Sequence, residues 1–120
     1  MIRDFDVRET TVSWVYNDKL IKIEEYEIGD AKYFKKEELV IVFYYDKNDI
    51  NPYMIGYNND GTKRFSFKSK DELGVDSFTN QPGYTNIPLI GWVREEDGIT
   101  DYYFTVDPQD GSLDRYGRAY

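Results

Sequence analysis

From position 11 the chain alternates, with Val12, Trp14 and Tyr16 on one face of an extended segment and Thr11, Ser13 and Val15 on the other. A period of two marks a strand with one face buried. Asn17-Asp18 then predicts a tight turn into a second strand over residues 20–28. Within that strand the face carrying Ile21 and Ile23 gives way at Glu24-Glu25 to one carrying Tyr26 and Ile28, which predicts a bulge, and Gly29-Asp30 is expected to end it. Residues 30–38 read two ways. Asp30 can cap a short helix running into Lys35-Lys36-Glu37-Glu38, while Tyr33-Phe34 suits a strand, and the strand is preferred.

Residues 39–45, Leu-Val-Ile-Val-Phe-Tyr-Tyr, form the most continuous apolar run and are β-branched at its centre. A strand without alternation is one covered on both faces, so this is the expected central strand. After a loop over 46–52, residues 53–57 and 63–68 flank Asn58-Asn59-Asp60-Gly61 and make the clearest hairpin in the chain. Ser69-Lys70-Asp71-Glu72 has the spacing of a capping box, with Gly74 placed to end a single helical turn. Residues 78–88 have loop composition and predict the longest loop. A strand over 89–93, a turn at Glu95-Glu96-Asp97-Gly98 and a strand over 99–106 follow. In the last of these, Tyr102, Phe104 and Val106 alternate against Tyr103 and Thr105. A turn at 107–111 and a short strand over 113–116 close the chain.

So many short-range turns predict an antiparallel meander. The expected fold class is all-β, or β-rich α+β with at most one or two short helices, shaped as a curved sheet, small sandwich or partly open barrel. At 120 residues the chain reads as a single β-rich domain over 1–120, with room for one core. Sliding the sequence by about fifty positions brings out a weak internal similarity. Leu39 falls on Leu89, Val40 on Ile90, Val42 on Trp92, Tyr53 on Tyr103, Met54 on Phe104, and Asp60-Gly61 on Asp110-Gly111. Such modules have the look of propeller blades, although two cannot close a propeller, and shared turn chemistry produces the same pattern without common origin.

Composition narrows the chemistry. The chain has no Cys and no His, which removes disulfides, thiolate nucleophiles, imidazole ligands and Ser-His or Cys-His pairs. The Asp/Asn/Gly clusters fail the spacing of a calcium loop: aligning Gly111 on its turn position would put Val106 and Pro108 at the first two ligand positions. The adjacent acids Glu24-Glu25, Glu37-Glu38 and Glu95-Glu96 point to opposite faces of a strand and mark out no catalytic pair. No enzyme activity, cofactor or metal is therefore expected. Tyr44-Tyr45, Tyr53 and Tyr57 could form a stacking platform, but core packing suits them better. No run approaches the length of a membrane helix and the N-terminus lacks a signal-like stretch, so the expected location is cytoplasmic.

Charge is the most informative quantity once divided. Residues 1–70 hold 13 acids and 12 bases, a net of −1; residues 71–120 hold 10 acids against Arg94, Arg115 and Arg118, a net of −7. Direct binding to a phosphate backbone is disfavoured and a basic protein surface is favoured. The tract from 95 to 114 interleaves Glu95, Glu96, Asp97, Asp101, Asp107, Asp110 and Asp114 with Trp92, Tyr102 and Tyr103, a composition typical of interfaces. These ten residues are the candidate partner-binding set. In the competing reading Trp92 and one of the two tyrosines belong to the core and the acids form a solvated edge. The leading expectation is a small inhibitor or immunity-type protein that blocks a basic surface of a nuclease, another toxin or a nucleic-acid-handling protein. In character this is similar to bacterial immunity proteins and viral nucleic-acid mimics, without a motif that names a family. The alternatives are an assembly module that pairs with copies of itself or a larger complex, and a carbohydrate-binding domain.

Overall fold

The computed structural model describes residues 2–24, 27–46, 49–68, 73–79 and 87–119. Among them are eleven strands and no helix, arranged as three antiparallel sheets, none closed into a barrel. The all-β meander is what the turn-rich sequence predicts. No helix of the described residues is long and apolar enough to cross a membrane.

The first sheet has the order β1-β2-β3, built from β1 (Arg3–Val7), β2 (Thr11–Tyr16) and β3 (Lys19–Glu24). Asn17 and Asp18 join β2 to β3 with φ of +50° and +63°, the two left-handed residues that a twisted two-residue hairpin requires. Val12 and Trp14 point inward and are buried, as their alternation predicts. β1 has no counterpart among the predicted strands, because in Arg-Asp-Phe-Asp-Val only Phe5 packs inward and a single apolar side chain carries no period.

The predicted strand over 20–28 is instead two strands in different sheets. β3 ends at Glu24 and β4 (Glu27–Phe34) opens the second sheet. The change of apolar face at 24–25, where the bulge was expected, thus reflects passage between layers; Glu24 ends β3, and residues 25 and 26 lie outside the described residues. Gly29-Asp30 does not terminate anything. The register of β4 against β5 slips between Ile28 and Asp30, so Gly29 occupies a bulge, a place where a residue without Cβ costs little. The strand preferred for 30–38 reaches Phe34 and gives way to a turn.

The second sheet runs β4-β5-β6-β7, with β5 (Leu39–Asp46), β6 (Asp49–Asn58) and β7 (Lys63–Lys68). Most of the loop expected over 46–52 belongs to strands, since β5 runs to Asp46, β6 begins at Asp49 and the two residues pair; residues 47 and 48 lie outside the described residues. β5 is the central strand. Leu39, Ile41 and Phe43 face one way, Val40, Val42 and Tyr44 the other, and none is more than 1% exposed.

The third sheet, in the order β11-β10-β9-β8, comprises β8 (Leu73–Phe78), β9 (Ile87–Glu95), β10 (Gly98–Val106) and β11 (Leu113–Arg118). Gly74 lies within β8 and ends no helical turn; residues 69–72, the predicted capping box, lie outside the described residues. Phe78, Ile87 and Pro88 belong to strands, which shortens the predicted loop at both ends.

The sheets stack as three layers with the second in the middle. One core joins the first and second sheets through Val12, Trp14, Ile28, Val40, Val42, Tyr44, Ile55 and Tyr57. Another joins the second and third through Leu39, Ile41, Phe43, Met54, Phe65, Val75, Leu89 and Val106. Tyr44 and Tyr57 are buried in the first of these with their hydroxyls 2.7 Å apart, and Tyr53 stacks on Tyr44, so they offer no platform to a ligand.

The fifty-residue similarity takes on a geometric meaning. β7 and β11 are offset by fifty positions, and Leu39 and Leu89 both point into the same interface between the second and third sheets. Propeller blades would place equivalent residues on the same side of successive sheets. Here the two sheets instead face each other across one core. Phe34, paired with Leu39, and Phe78, paired with Leu89, meet across it with ring centroids 5.8 Å apart.

Candidate binding face

Parity along β9 and β10 decides which residues of the third sheet face away from the stack. Ile87, Leu89, Phe104 and Val106 are buried against the second sheet, so Pro88, Ile90, Trp92 and Arg94 of β9, with Ile99, Asp101, Tyr103 and Thr105 of β10, line the outer face. Register sets Ile90 opposite Tyr103, Trp92 opposite Asp101 and Arg94 opposite Ile99. On β11, Asp114 pairs with Thr105 and shares this face.

Trp92 is half-buried rather than part of either core, which overturns the reading that placed it inside. Its indole lies across β8: a Cβ built on Gly74, its cross-strand partner, would come within 2.3 Å of the ring. Glycine at 74 is what lets the ring lie down on the sheet. Trp14, by contrast, is the tryptophan of the core, fully buried with its indole N–H donating to the Asn59 carbonyl at 2.7 Å.

The ten candidate residues do not gather into one patch. Trp92, Asp101, Tyr103 and Asp114 share the outer face. Glu95, Glu96 and Asp97 sit at the β9–β10 turn, and Asp107 and Asp110 at the β10–β11 turn. Those two turns lie at opposite ends of β10, roughly 30 Å apart for a strand of this length. Tyr102 points to the opposite side of β10 from Tyr103. Its hydroxyl donates to the Glu95 carboxylate, and the Arg115 guanidinium stands 4.5 Å from its ring centroid, a cation–π contact. The acidic tract is therefore a rim of charge at two ends and along one edge. The part of it adjacent to the half-buried indole is Asp101.

Ile90, Pro88 and Arg94 complete the face and were not among the candidates. Their signal lay in the sequence: Ile87 to Val93 is apolar at both parities, as in the doubly covered β5. The fifty-residue offset sharpens this. Ile90, Trp92 and Tyr103 stand where Val40, Val42 and Tyr53 stand in the second sheet, and those three pack against the first sheet. Among the described residues, neither core cluster includes the equivalent residues of the third sheet.

No family model matches the chain. Among curated proteins and solved structures, none is significantly similar to it.

The two Asp-Gly turns share one construction. The Asp60 carboxylate accepts from the Thr62 amide at 3.0 Å and its hydroxyl at 2.6 Å, and Asp110 accepts from the Ser112 amide at 2.9 Å. Gly61 and Gly111 take φ of +87° and +76°, where a side chain would be strained. The Thr62 hydroxyl and then its amide hold the Asp60 pKa below the usual carboxylate range; for Asp110 the Ser112 amide leads and its hydroxyl follows. A depressed carboxylate pKa stabilises the fold at pH values above the usual range, and that contribution is lost as pH falls through the depressed value. Thr62→Val should raise the Asp60 pKa towards its ordinary value and leave Asp110 unmoved, as followed by side-chain carboxyl carbon shifts in an NMR titration. Parallel movement of both residues would contradict the local origin of the shift.

Proposed function

We propose that this chain is a non-catalytic protein-binding module of the inhibitor or immunity type, and that it uses the outer face of the third sheet to occupy a basic surface of a toxin, nuclease or other nucleic-acid-handling protein. The observation that carries this reading is the equivalence of Ile90, Trp92 and Tyr103 to three residues that the first sheet covers. An apolar centre of this kind, bordered by Asp101 and Asp114 and by the charged β9–β10 turn, has the anatomy of a hot spot with a polar rim. The rim supplies attraction at a distance: the net charge of −7 over residues 71–120 speeds encounter with a basic partner and loses that advantage as salt screens it. Affinity then rests on burying the indole.

The test is capture of partners from a native lysate by the immobilised chain at low and at high salt. Basic proteins should be retained at low salt and depleted at high salt; retention of acidic proteins, or capture indifferent to salt, contradicts the proposal.

A second reading is favoured by the same apolar centre. Two copies meeting through their third sheets would bury it as well, and Arg94 and Asp101 on one face give that arrangement charges of both signs. Sedimentation at micromolar concentration separates the two readings, a strict monomer leaving only the heterologous partner.

A further inference from the structure

At the end of the stack where the β4–β5 and β6–β7 turns meet, Tyr16, Glu38, Asn58, Asn59, Asp60 and Arg64 line a cleft of about 230 Å³. Its construction separates donors from acceptors. Among the described residues Arg64 is the one cation in the lining, and its guanidinium is already engaged. Nε donates to Asn58 Oδ1 at 2.7 Å, Nη1 to the carbonyls of Pro108 and Glu37 at 2.9 and 3.3 Å, and Nη2 to the Glu38 carbonyl at 2.8 Å. These bonds tie three turns together, and they hold Glu38 at φ +52°, a left-handed conformation that a glutamate adopts only when its surroundings impose it. Asn58 donates its amide to the Thr62 hydroxyl at 2.9 Å, so it too is engaged.

Apart from the Tyr16 hydroxyl, which can donate or accept, what remains in the cleft accepts. Asn59 is only 7% exposed, and its side-chain carbonyl oxygen has no donor, although its amide nitrogen reaches Glu38 Oε1 at 3.5 Å and its main-chain carbonyl takes the Trp14 indole. A buried acceptor without a donor is an uncompensated loss of hydration. Beside it stand the carboxylates of Glu38 and Asp60, which outnumber Arg64 and leave the lining with a net charge of −1.

From this separation we infer that the cleft is a receptor for a primary ammonium group, carried either by a small free amine or by a lysine side chain. An ammonium brings three N–H donors to a ring of acceptors and cancels the residual charge, whereas a neutral hydroxyl brings one donor and no charge. Among the described residues, no three acidic, His or Cys side chains converge as a metal ion would require. The site lies between the first and second sheets and is separate from the outer face of the third, so its use does not depend on what that face binds.

The experiment is a two-dimensional NMR titration of the ¹⁵N-labelled protein with methylammonium chloride, and with Nα-acetyl-lysine N-methylamide to represent a lysine side chain. Tetramethylammonium, glycerol and calcium chloride serve as comparisons. Saturable shifts at the Asn59 side-chain amide and at the backbone amides of Glu38 and Asp60 are expected with both amines. Tighter binding of the lysine derivative would identify a polypeptide source, and equal binding a free amine. Glu38→Gln should weaken binding about tenfold, the usual effect of removing one charge-assisted hydrogen bond. Glu38→Gly should abolish the carboxylate contact while keeping or raising Tm, because glycine accepts the φ that Glu38 is forced to take. Equal binding of tetramethylammonium, saturation by calcium at lower concentration than by either amine, or unchanged amine affinity in the folded Glu38→Gly protein would each overturn the assignment.

Discussion

Trp14→Ala is expected to lower the unfolding free energy by about 3–5 kcal/mol, the usual cost of emptying a fully buried aromatic site. Against the total of roughly 5–15 kcal/mol that holds a natural domain together, this is enough to leave a sizeable fraction unfolded at ambient temperature. Two losses combine. The indole fills the space between the first and second sheets against Phe5 and Tyr57, with ring centroids 6.4 Å away in each case. Its N–H is also the donor to the Asn59 carbonyl, so removal leaves that group to find another partner. Trp14→Phe separates the two: most of the volume is kept, and the buried carbonyl still loses its donor, for an expected cost of about 1–3 kcal/mol. Urea denaturation followed by circular dichroism measures both. A cost below about 1 kcal/mol for the alanine variant would mean that the first sheet contributes little packing to the second.

Trp92→Ala should do the reverse, leaving stability nearly unchanged and removing partner binding. A central aromatic hot spot is worth about 2 kcal/mol or more, which is roughly thirtyfold in Kd. Asp101→Arg, beside the indole, should weaken capture to a similar extent and reverse its dependence on salt, because it replaces attraction by repulsion at the centre of the face. Asp107→Arg and Asp110→Arg, at the far end of β10, should change affinity less than about threefold, the usual effect of a charge outside the contact. Isothermal titration against any captured partner reads all four variants. Equal losses at Asp107 and Asp110 would show that the charged edge, and not the indole face, is the docking surface.

The features legible in the sequence were those determined by local chemistry. β5 announced itself by being apolar at both parities, and that run is covered on both sides. Asn17-Asp18 and Asp60-Gly61 announced their turns because few residues accept left-handed backbone. What stayed hidden depends on layers rather than neighbours. β1 and β8 lie at the edges of their sheets and bury few side chains, so neither shows a period, and Gly74 looked like a helix stop when its purpose is to seat Trp92. The passage from β3 to β4 looked like a bulge, since a change of sheet and a change of face leave the same trace in a sequence. The acidic tract was visible as charge, but its division between two turns and one face follows from strand length and parity. Trp92 could be read both as a member of the partner-binding set and, because large apolar side chains are usually buried, as core; the position of the third sheet as an outer layer leaves its ring half-buried on the outer face.

A strand shared by two cores also shapes how the molecule comes apart. If the first sheet peels away, Val40, Val42 and Tyr44 meet water; if the third departs, Leu39, Ile41 and Phe43 do. In either event β5 loses the cover on one face while still holding the other, so opening one seam strains the strand that anchors the second. The two seams are thereby mechanically linked through this one strand, and a disturbance at one side of the stack is transmitted through it to the opposite side.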